Sequence, residues 1–274
     1  MNSTLAVIGG GNMGRAIIGG LLARGDDATR IVVADPIADA RDYLHSQLGV
    51  NTVASNHEAV AHAETIVLAV KPQQMRDVAL EIAPALRKRN PLVISIAAGI
   101  TTASLTAWLA GGAAVVRAMP NTPALIGRGI TALYATAGVS PAGRDTADSL
   151  LCAVGSVVWV QDESALDAVT ALSGSGPAYF FLLIECLERA GVALGLDSNI
   201  ARRLALETAA GATELARSSP LDPAALRVQV TSKGGTTERA LQTLAAGGFE
   251  ELVDRALRAA ASRAGELSRE FGER

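Results

Sequence analysis

Gly9-Gly10-Gly11-Asn12-Met13-Gly14 fits the spacing G-x-G-x-x-G and directly follows an apolar run, Leu5-Ala6-Val7-Ile8. Glycine is common in this chain, so the setting matters more than the spacing. A helical pattern opens at about Asn12, and Asp35 ends a second apolar run 21 residues after Gly14. Together these features predict a dinucleotide site. The glycines let the backbone approach a pyrophosphate, and the helix N-terminus adds free N–H groups and a partial positive charge. Asp35 is then the carboxylate that hydrogen-bonds a ribose 2′-hydroxyl and repels a 2′-phosphate, which leans towards NADH over NADPH. Arg41 in the next helix either offsets that preference or lies on a solvated face.

A second polar cluster, Ser232-Lys233-Gly234-Gly235-Thr236-Thr237-Glu238, lies late in the chain. Gly234 and Gly235 free the backbone just before a helix predicted to start near Thr236. Exposed N–H groups there suit a carboxylate, and the two threonines add hydroxyls at short reach. The competing reading is a helix cap built from Ser232 or Thr236 with Glu238, and the two readings are compatible.

The remaining candidates are few. The histidines are His45, His57 and His62, none at a strand end or in a glycine-rich turn, and the lysines are Lys71, Lys88 and Lys233. Lys71 ends a strand and precedes Pro72, so it either meets the coenzyme or substrate or is a surface lysine. An alcohol dehydrogenase needs a tuned acid or base. The first long helix of the second half, Gly176 to about Leu194, has neither lysine nor histidine, which counts against a β-hydroxy-acid dehydrogenase. A non-catalytic dinucleotide sensor would leave the Ser232–Thr237 bend without a ligand. No metal site is expected.

These residues need a frame. Further strands are predicted at Ile66 to Val70, Leu92 to Ile96, Ala114 to Ala118, Ile130 to Tyr134 and Val157 to Val160. They alternate with helices, and the early ones are apolar on both faces, the pattern of a doubly wound, mostly parallel sheet. After Val160 only helices are predicted. Ser175-Gly176-Pro177 opens one that is apolar nearly all round, from Ala178 to Ile184, and so is expected to be buried on most sides. Others run from about Asp197 to Arg217 and along Phe249 to Leu267. The chain of 274 residues therefore divides into 1–162, which binds a dinucleotide, and 163–274, which is all-α. The surplus apolar helix faces point to self-association.

Composition narrows the function. The net charge is -3 and no basic stripe exists, so nucleic acid is not expected as a partner. Glu185, Glu188 and Arg189 make the apolar helix a poor membrane span, and the uncharged stretch between Arg89 and Arg117 is broken by Pro91, Gly99, Gly111 and Gly112. Met1-Asn2-Ser3 carries no secretory pattern. Cys152 and Cys186 sit in apolar runs and are expected to be buried free thiols, which fits a reducing cytoplasm.

Several segments together resemble one family. They are Val67-Leu68-Ala69-Val70-Lys71-Pro72-Gln73, Ile94-Ser95-Ile96-Ala97-Ala98-Gly99-Ile100, Met119-Pro120-Asn121-Thr122-Pro123, Ser173-Gly174-Ser175-Gly176-Pro177-Ala178-Tyr179 and Val230-Thr231-Ser232-Lys233-Gly234-Gly235-Thr236-Thr237. In this order, after the glycine turn, they are similar to pyrroline-5-carboxylate reductase from about residue 5 to 267. The resemblance implies a Rossmann-type domain followed by a helical dimerisation domain. It implies reduction of 1-pyrroline-5-carboxylate to L-proline with NADPH or NADH. Cofactor contacts are implied at Gly9, Gly10, Gly11, Asn12, Met13, Gly14, Asp35, Asn56, Ala69, Val70, Lys71, Pro72, Ile96, Ala97 and Ala98. Substrate contacts are implied at Ser232, Gly234, Gly235, Thr236 and Thr237, with the Thr237 hydroxyl near the imine nitrogen and the pocket completed at the dimer interface.

Two positions depart from the family pattern. Lys233 stands where proline is usual, and either draws on the substrate carboxylate or points into solvent. Asp35 stands where many members carry Ser, Asn or Arg. The chemistry agrees with the residues available. A protonated cyclic imine accepts hydride readily, so the site needs orientation, a carboxylate clamp and one hydrogen bond at nitrogen rather than a strong acid.

Overall fold

Short β-branched runs become strands where helices can cover them on both faces. The computed structural model describes residues 4–272 apart from Lys88 and Gly112. The observation on Met1-Asn2-Ser3 therefore lies outside the described residues, as do Lys88 and Gly112. The strands are β1 Leu5–Ile8, β2 Ile31–Ala34, β3 Asn51–Val53, β4 Thr65–Leu68, β5 Leu92–Ser95, β6 Ala114–Met119, β7 Gly129–Ala135 and β8 Gly155–Trp159. They form one sheet in the order β3-β2-β1-β4-β5-β6-β7-β8. All neighbours are parallel except β6 and β7. The order reverses between β1 and β4, and such a switch point opens a crevice at the carboxyl ends of the strands.

Six helices alternate with these strands: α1 Asn12–Ala23, α2 Ala38–Leu48, α3 Asn56–Val60, α4 Pro72–Leu86, α5 Thr102–Trp108 and α6 Pro141–Cys152. Alternate strand residues feed two cores. Leu5, Val7, Val33, Val67 and Ile94 pack with Ile17, Leu21 and Leu150 on one face. Ala6, Ile8, Ile66, Leu68 and Val93 pack with Met75, Ile82 and Leu105 on the other. Each such Leu or Ile, fully buried, contributes about 1.5–3 kcal/mol, so these two layers carry the frame.

The rest is helical: α7 Ala165–Val169, α8 Gly176–Ala193, α9 Ser198–Ser218, α10 Pro223–Gln229, α11 Thr236–Ala246 and α12 Phe249–Gly272. By compactness the chain forms two units. One holds the sheet up to Ser175 and the chain from Ala259 onward; the other is Gly176–Arg258. Within the second unit α8 packs on α9. A side chain at Gly191 would stand 3.2 Å from the Ala201 methyl, so the small residue sets the approach.

Three points differ from expectation, and one expected helix start has an added feature. β3 is an additional strand, too short and too exposed to show an apolar signal. Ser175-Gly176-Pro177 opens α8 at Gly176 as expected, with Pro177 in its first turn, but the helix does not start free. A π-helical turn, Thr170–Gly174, joins α7 to α8, and Ala165–Ala193 is one helical stretch. Pro177 has no N–H to donate one turn back, to the Ser173 carbonyl. The Asn121 side-chain amide donates to that carbonyl instead, at 3.2 Å. The apolar side chains of α8 are exposed in the single chain, Phe180, Phe181, Leu182 and Leu183 among them. Cys152 and Cys186 are free but exposed, because they lie on the outer faces of α6 and α8.

Candidate active site

β1, β2, β4 and β5 deliver their carboxyl ends to one edge, and the expected coenzyme residues follow those ends. Gly9 leaves β1 with φ +104°, and a side chain there would stand 2.7 Å from the Ala69 carbonyl oxygen. Only glycine fits this turn. The Gly9 N–H donates to the Ala34 carbonyl at 2.8 Å, and the Ala69 N–H donates to the Ile8 carbonyl at 2.8 Å. Gly11 is the N-cap of α1 and supplies no side-chain cap. A Cβ on Gly11 would meet only open space. Backbone N–H groups facing open space at a helix start fit a pyrophosphate. Asn12 is exposed at the first position of α1, Met13 is half-buried, and Gly14 is buried.

Asp35 is tied more closely than expected. It is 9% exposed. Its Oδ2 accepts the Gly10 N–H at 2.8 Å, and its Oδ1 accepts the Ile37 N–H at 2.9 Å. The carboxylate thus joins the glycine turn to the end of β2, and each oxygen keeps acceptor capacity for a ribose hydroxyl. Arg41 is not a free surface cation. Its Nη1 donates to the Asp35 and Pro36 carbonyls at 2.8 and 3.0 Å. Arg15 donates from Nε to the Gly10 carbonyl at 2.7 Å, and its guanidinium lies over the Tyr43 ring, 4.3 Å from the centroid.

The other expected residues occupy the same edge. Lys71 is exposed as the N-cap of α4, and Pro72 holds the first position, where its missing N–H costs nothing. Ala69 and Val70 are half-buried beside the glycine turn. The Ile96 N–H donates to the Leu68 carbonyl at 3.1 Å, which starts the turn holding Ala97 and Ala98. Asn56 opens α3 after β3, and its amide donates to the Glu81 carboxylate at 2.8 Å.

The Ser232–Thr237 bend belongs to the helical unit. Gly234 has φ +72°, which makes the bend, and Gly235 is the N-cap of α11 without a side-chain cap. The cap is therefore neither Ser232 nor Thr236. Glu238 instead reaches back to accept the Gly234 N–H at 2.6 Å. Thr236 and Thr237 are the first two helical residues; Thr237 is half-buried, while Ser232 and Lys233 are exposed. One amide of the bend thus already serves a carboxylate of this chain.

Other chemistry is poorly supplied. His45 Nδ1 lies 3.2 Å from the Val50 carbonyl, a local contact, and His57 and His62 are exposed. Although Cys152 is exposed, partial desolvation of its thiol, and then the neighbouring Asp148 charge, push it up, away from the reactive thiolate. Among the described residues no group of three or more His, Cys, Asp or Glu side chains can hold a metal ion.

This geometry has known counterparts. The family model described as pyrroline-5-carboxylate reductase dimerisation matches residues 163–267. The model described as NADP oxidoreductase coenzyme F420-dependent matches residues 4–99. A pyrroline-5-carboxylate reductase from Pseudomonas aeruginosa is 51% identical over 269 residues, 98% of each chain. The chain belongs to the pyrroline-5-carboxylate reductase family. The structure of a family member from Coxiella burnetii superposes with a TM-score of 0.94 at 42% identity, covering 98% of this chain and 99% of that one. A Plasmodium falciparum pyrroline carboxylate reductase, solved with NADP bound, superposes with a TM-score of 0.86 at 29% identity, covering 97% and 98%. The doubly wound sheet and the helical dimerisation region are thus the family's architecture.

One buried cluster escaped the sequence reading. Arg117 on β6 is 4% exposed, and its Nη1 donates to Glu163 Oε1 at 2.9 Å. Thr102 also donates to Glu163, from its N–H and its hydroxyl. A signal was present: a lone arginine in an otherwise apolar strand must find an acceptor.

Proposed function

We propose that this chain carries out its family's reaction, reducing 1-pyrroline-5-carboxylate to L-proline with NAD(P)H, and that the residues at the sheet edge and the α11 bend divide the work. The observation that carries this reading is the Ser232–Thr237 bend, whose backbone N–H groups and hydroxyls are gathered at the start of α11. The reduced nicotinamide supplies hydride to the C=N carbon. The chain's own residues bind, orient and exclude water.

The glycine turn, Gly9 to Gly14, holds the pyrophosphate through backbone N–H groups. Asp35 meets the adenosine ribose. Asn56, the Ala69–Pro72 segment and the Ile96–Ala98 turn complete the coenzyme contacts. At the α11 bend, Ser232, Gly234, Gly235 and Thr236 line the place of the substrate carboxylate. The Gly234 and Gly235 N–H groups are held by Glu238 and by the Ser232 carbonyl. The hydroxyls of Ser232 and Thr236 and the N–H groups of the first turn of α11 therefore do the binding, and the Thr237 hydroxyl bonds the ring nitrogen. Orientation of two bound partners supplies much of the acceleration. Lys233 is exposed and is assigned no step.

Self-association belongs to the same reading. Ala165–Ala193 is long and apolar enough to cross a membrane by length and composition. It carries Glu185, Glu188 and Arg189, and the dimerisation model covers it. A second copy covering α8 accounts for the apolar face without lipid. Residues 163–274 then serve substrate binding and dimerisation, and 1–162 serve the coenzyme. Neither nucleic acid nor membrane enters this reading, and the cytoplasm is its proposed location, a reducing compartment that suits two free cysteines.

The direct test is loss of reduced-nicotinamide absorbance with pyrroline-5-carboxylate, run separately with NADPH and NADH. Turnover giving proline is expected. Binding of the reduced coenzyme without any turnover would favour the sensor reading.

A further inference from the structure

The turn from Ile96 to Thr101 leaves β5 and enters α5, and it is anchored at both ends. Upstream, Ser95 is fully buried, its hydroxyl accepts the Ala97 N–H at 3.4 Å, and the Ile96 N–H joins β4 at the Leu68 carbonyl. Downstream, the anchor is a carboxylate from a distant part of the chain. Glu163 Oε1 accepts the Thr102 N–H at 2.7 Å, and its Oε2 accepts the Thr102 hydroxyl at 2.5 Å. The Arg117 guanidinium donates to Oε1 from the other side at 2.9 Å. In the middle, the Phe271 ring and Leu267 pack against Gly99, where an added Cβ would stand 3.0 and 3.3 Å from them.

Stability is a poor account of this cluster. Arg117 is buried and Glu163 only partly so, and an ion pair of this kind gains little beyond the desolvation of its buried partner. What three donors converging on two oxygens do provide is direction. They fix the carboxylate, the carboxylate fixes Thr102, and Thr102 ends the turn. We infer that Glu163, oriented by Arg117, is a positioning residue that sets the Ile96–Ala98 turn against the nicotinamide half of the coenzyme. The inference rests on reading that turn as a coenzyme contact on the nicotinamide side: the proposed ribose partner Asp35 ends β2, and β5 lies on the other side of β1 and β4 in the sheet. Misplacement by about 1 Å near reacting atoms costs on the order of a hundredfold in rate, so an indirect anchor has leverage.

The test uses the full chain and three substitutions: Thr102→Val, Thr102→Ser and Glu163→Gln. NAD(P)H binding is read by nucleotide fluorescence, and ADP-ribose, which lacks the nicotinamide, is read by competition. Thr102→Val and Glu163→Gln are expected to lower kcat by about tenfold and weaken NAD(P)H by about fivefold. ADP-ribose affinity should stay within about twofold of wild type, and Thr102→Ser, which keeps the hydroxyl, should restore both values. Parallel loss of NAD(P)H and ADP-ribose would reduce the cluster to general stability and overturn the inference. So would a kcat within about twofold of wild type in Thr102→Val, which leaves the Arg117–Glu163 pair intact and decides the matter if Glu163→Gln fails to fold. Wild-type turnover tests the proposed reaction separately, because the contrast between the two nucleotides needs none.

Discussion

Thr237 and Asp35 are single side chains with separable duties. Thr237 lies at the second position of α11, half-buried, beside a bend that Gly234 makes and Glu238 braces. Replacing it by alanine removes a hydroxyl and leaves those braces in place. Thr237→Ala should keep the coenzyme Kd and lower kcat/KM by about a hundredfold, as loss of one donor at a reacting centre does. Steady-state kinetics with a coenzyme titration checks this, and wild-type turnover would remove Thr237 from the mechanism. Asp35 already serves the fold, since its oxygens accept the Gly10 and Ile37 N–H groups, and ribose binding is its proposed second task. Asp35→Ala should weaken NADH by loosening the turn and losing the ribose contact. It should weaken NADPH less, because a negative charge near the 2′-phosphate is also lost. A rise of about tenfold in the NADPH:NADH ratio of kcat/KM is expected, of the order of one charged hydrogen bond. An unchanged ratio would show that Asp35 serves the turn alone.

Elements are joined here by side chains that complete what the backbone cannot. The junction of α7 and α8 is the clearest case. Pro177 leaves the Ser173 carbonyl without its helical donor, and the π-helical turn sits at that point. Asn121 bonds that carbonyl through its amide nitrogen and accepts the Ile130 N–H at 3.0 Å through its oxygen. One residue therefore ties the end of β6 to β7 and to the helical turn. Asn121→Ala leaves both backbone groups without that partner and should destabilise the protein by about 1–3 kcal/mol. Urea unfolding measures this, and an unshifted midpoint would show that water replaces the amide. The Glu163 anchor on α5 follows the same logic, with direction rather than stability as its product.

Assembly is the property of the whole molecule that the single chain displays most openly. Phe180, Phe181, Leu182, Leu183 and Leu187 of α8 are all exposed, while the central strands β1, β4 and β5 are buried throughout. Residues 180–183 follow one another and so point to all sides of α8; apolar exposure of this extent marks an interaction surface, and the match of residues 163–267 to a dimerisation model gives the partner as a second copy. Leu187→Arg places a charge on that face without touching either core. It should shift sedimentation towards monomer and lower turnover, with coenzyme binding retained. A stable dimer in that variant would move the interface elsewhere.

Local patterning was enough for much of this. β-branched runs, the glycine turn and Asp35 specify a parallel sheet and a dinucleotide edge, because strand period, turn chemistry and helix starts depend on neighbours a few residues apart. The bend at Gly234-Gly235 is local in the same way. The tertiary structure alone decided the rest. It left the apolar side chains of α8 exposed in the single chain and exposed both cysteines, because which face of a helix is buried depends on what packs against it. It engaged Arg41 with backbone carbonyls and both Asp35 oxygens with N–H groups. It also brought Glu163 to Thr102 and Arg117, partners 61 and 46 residues away. The sequence shows only that Arg117 needs an acceptor; the physical reason it cannot show which one is that an ion pair depends on distance in space and leaves no period along the chain.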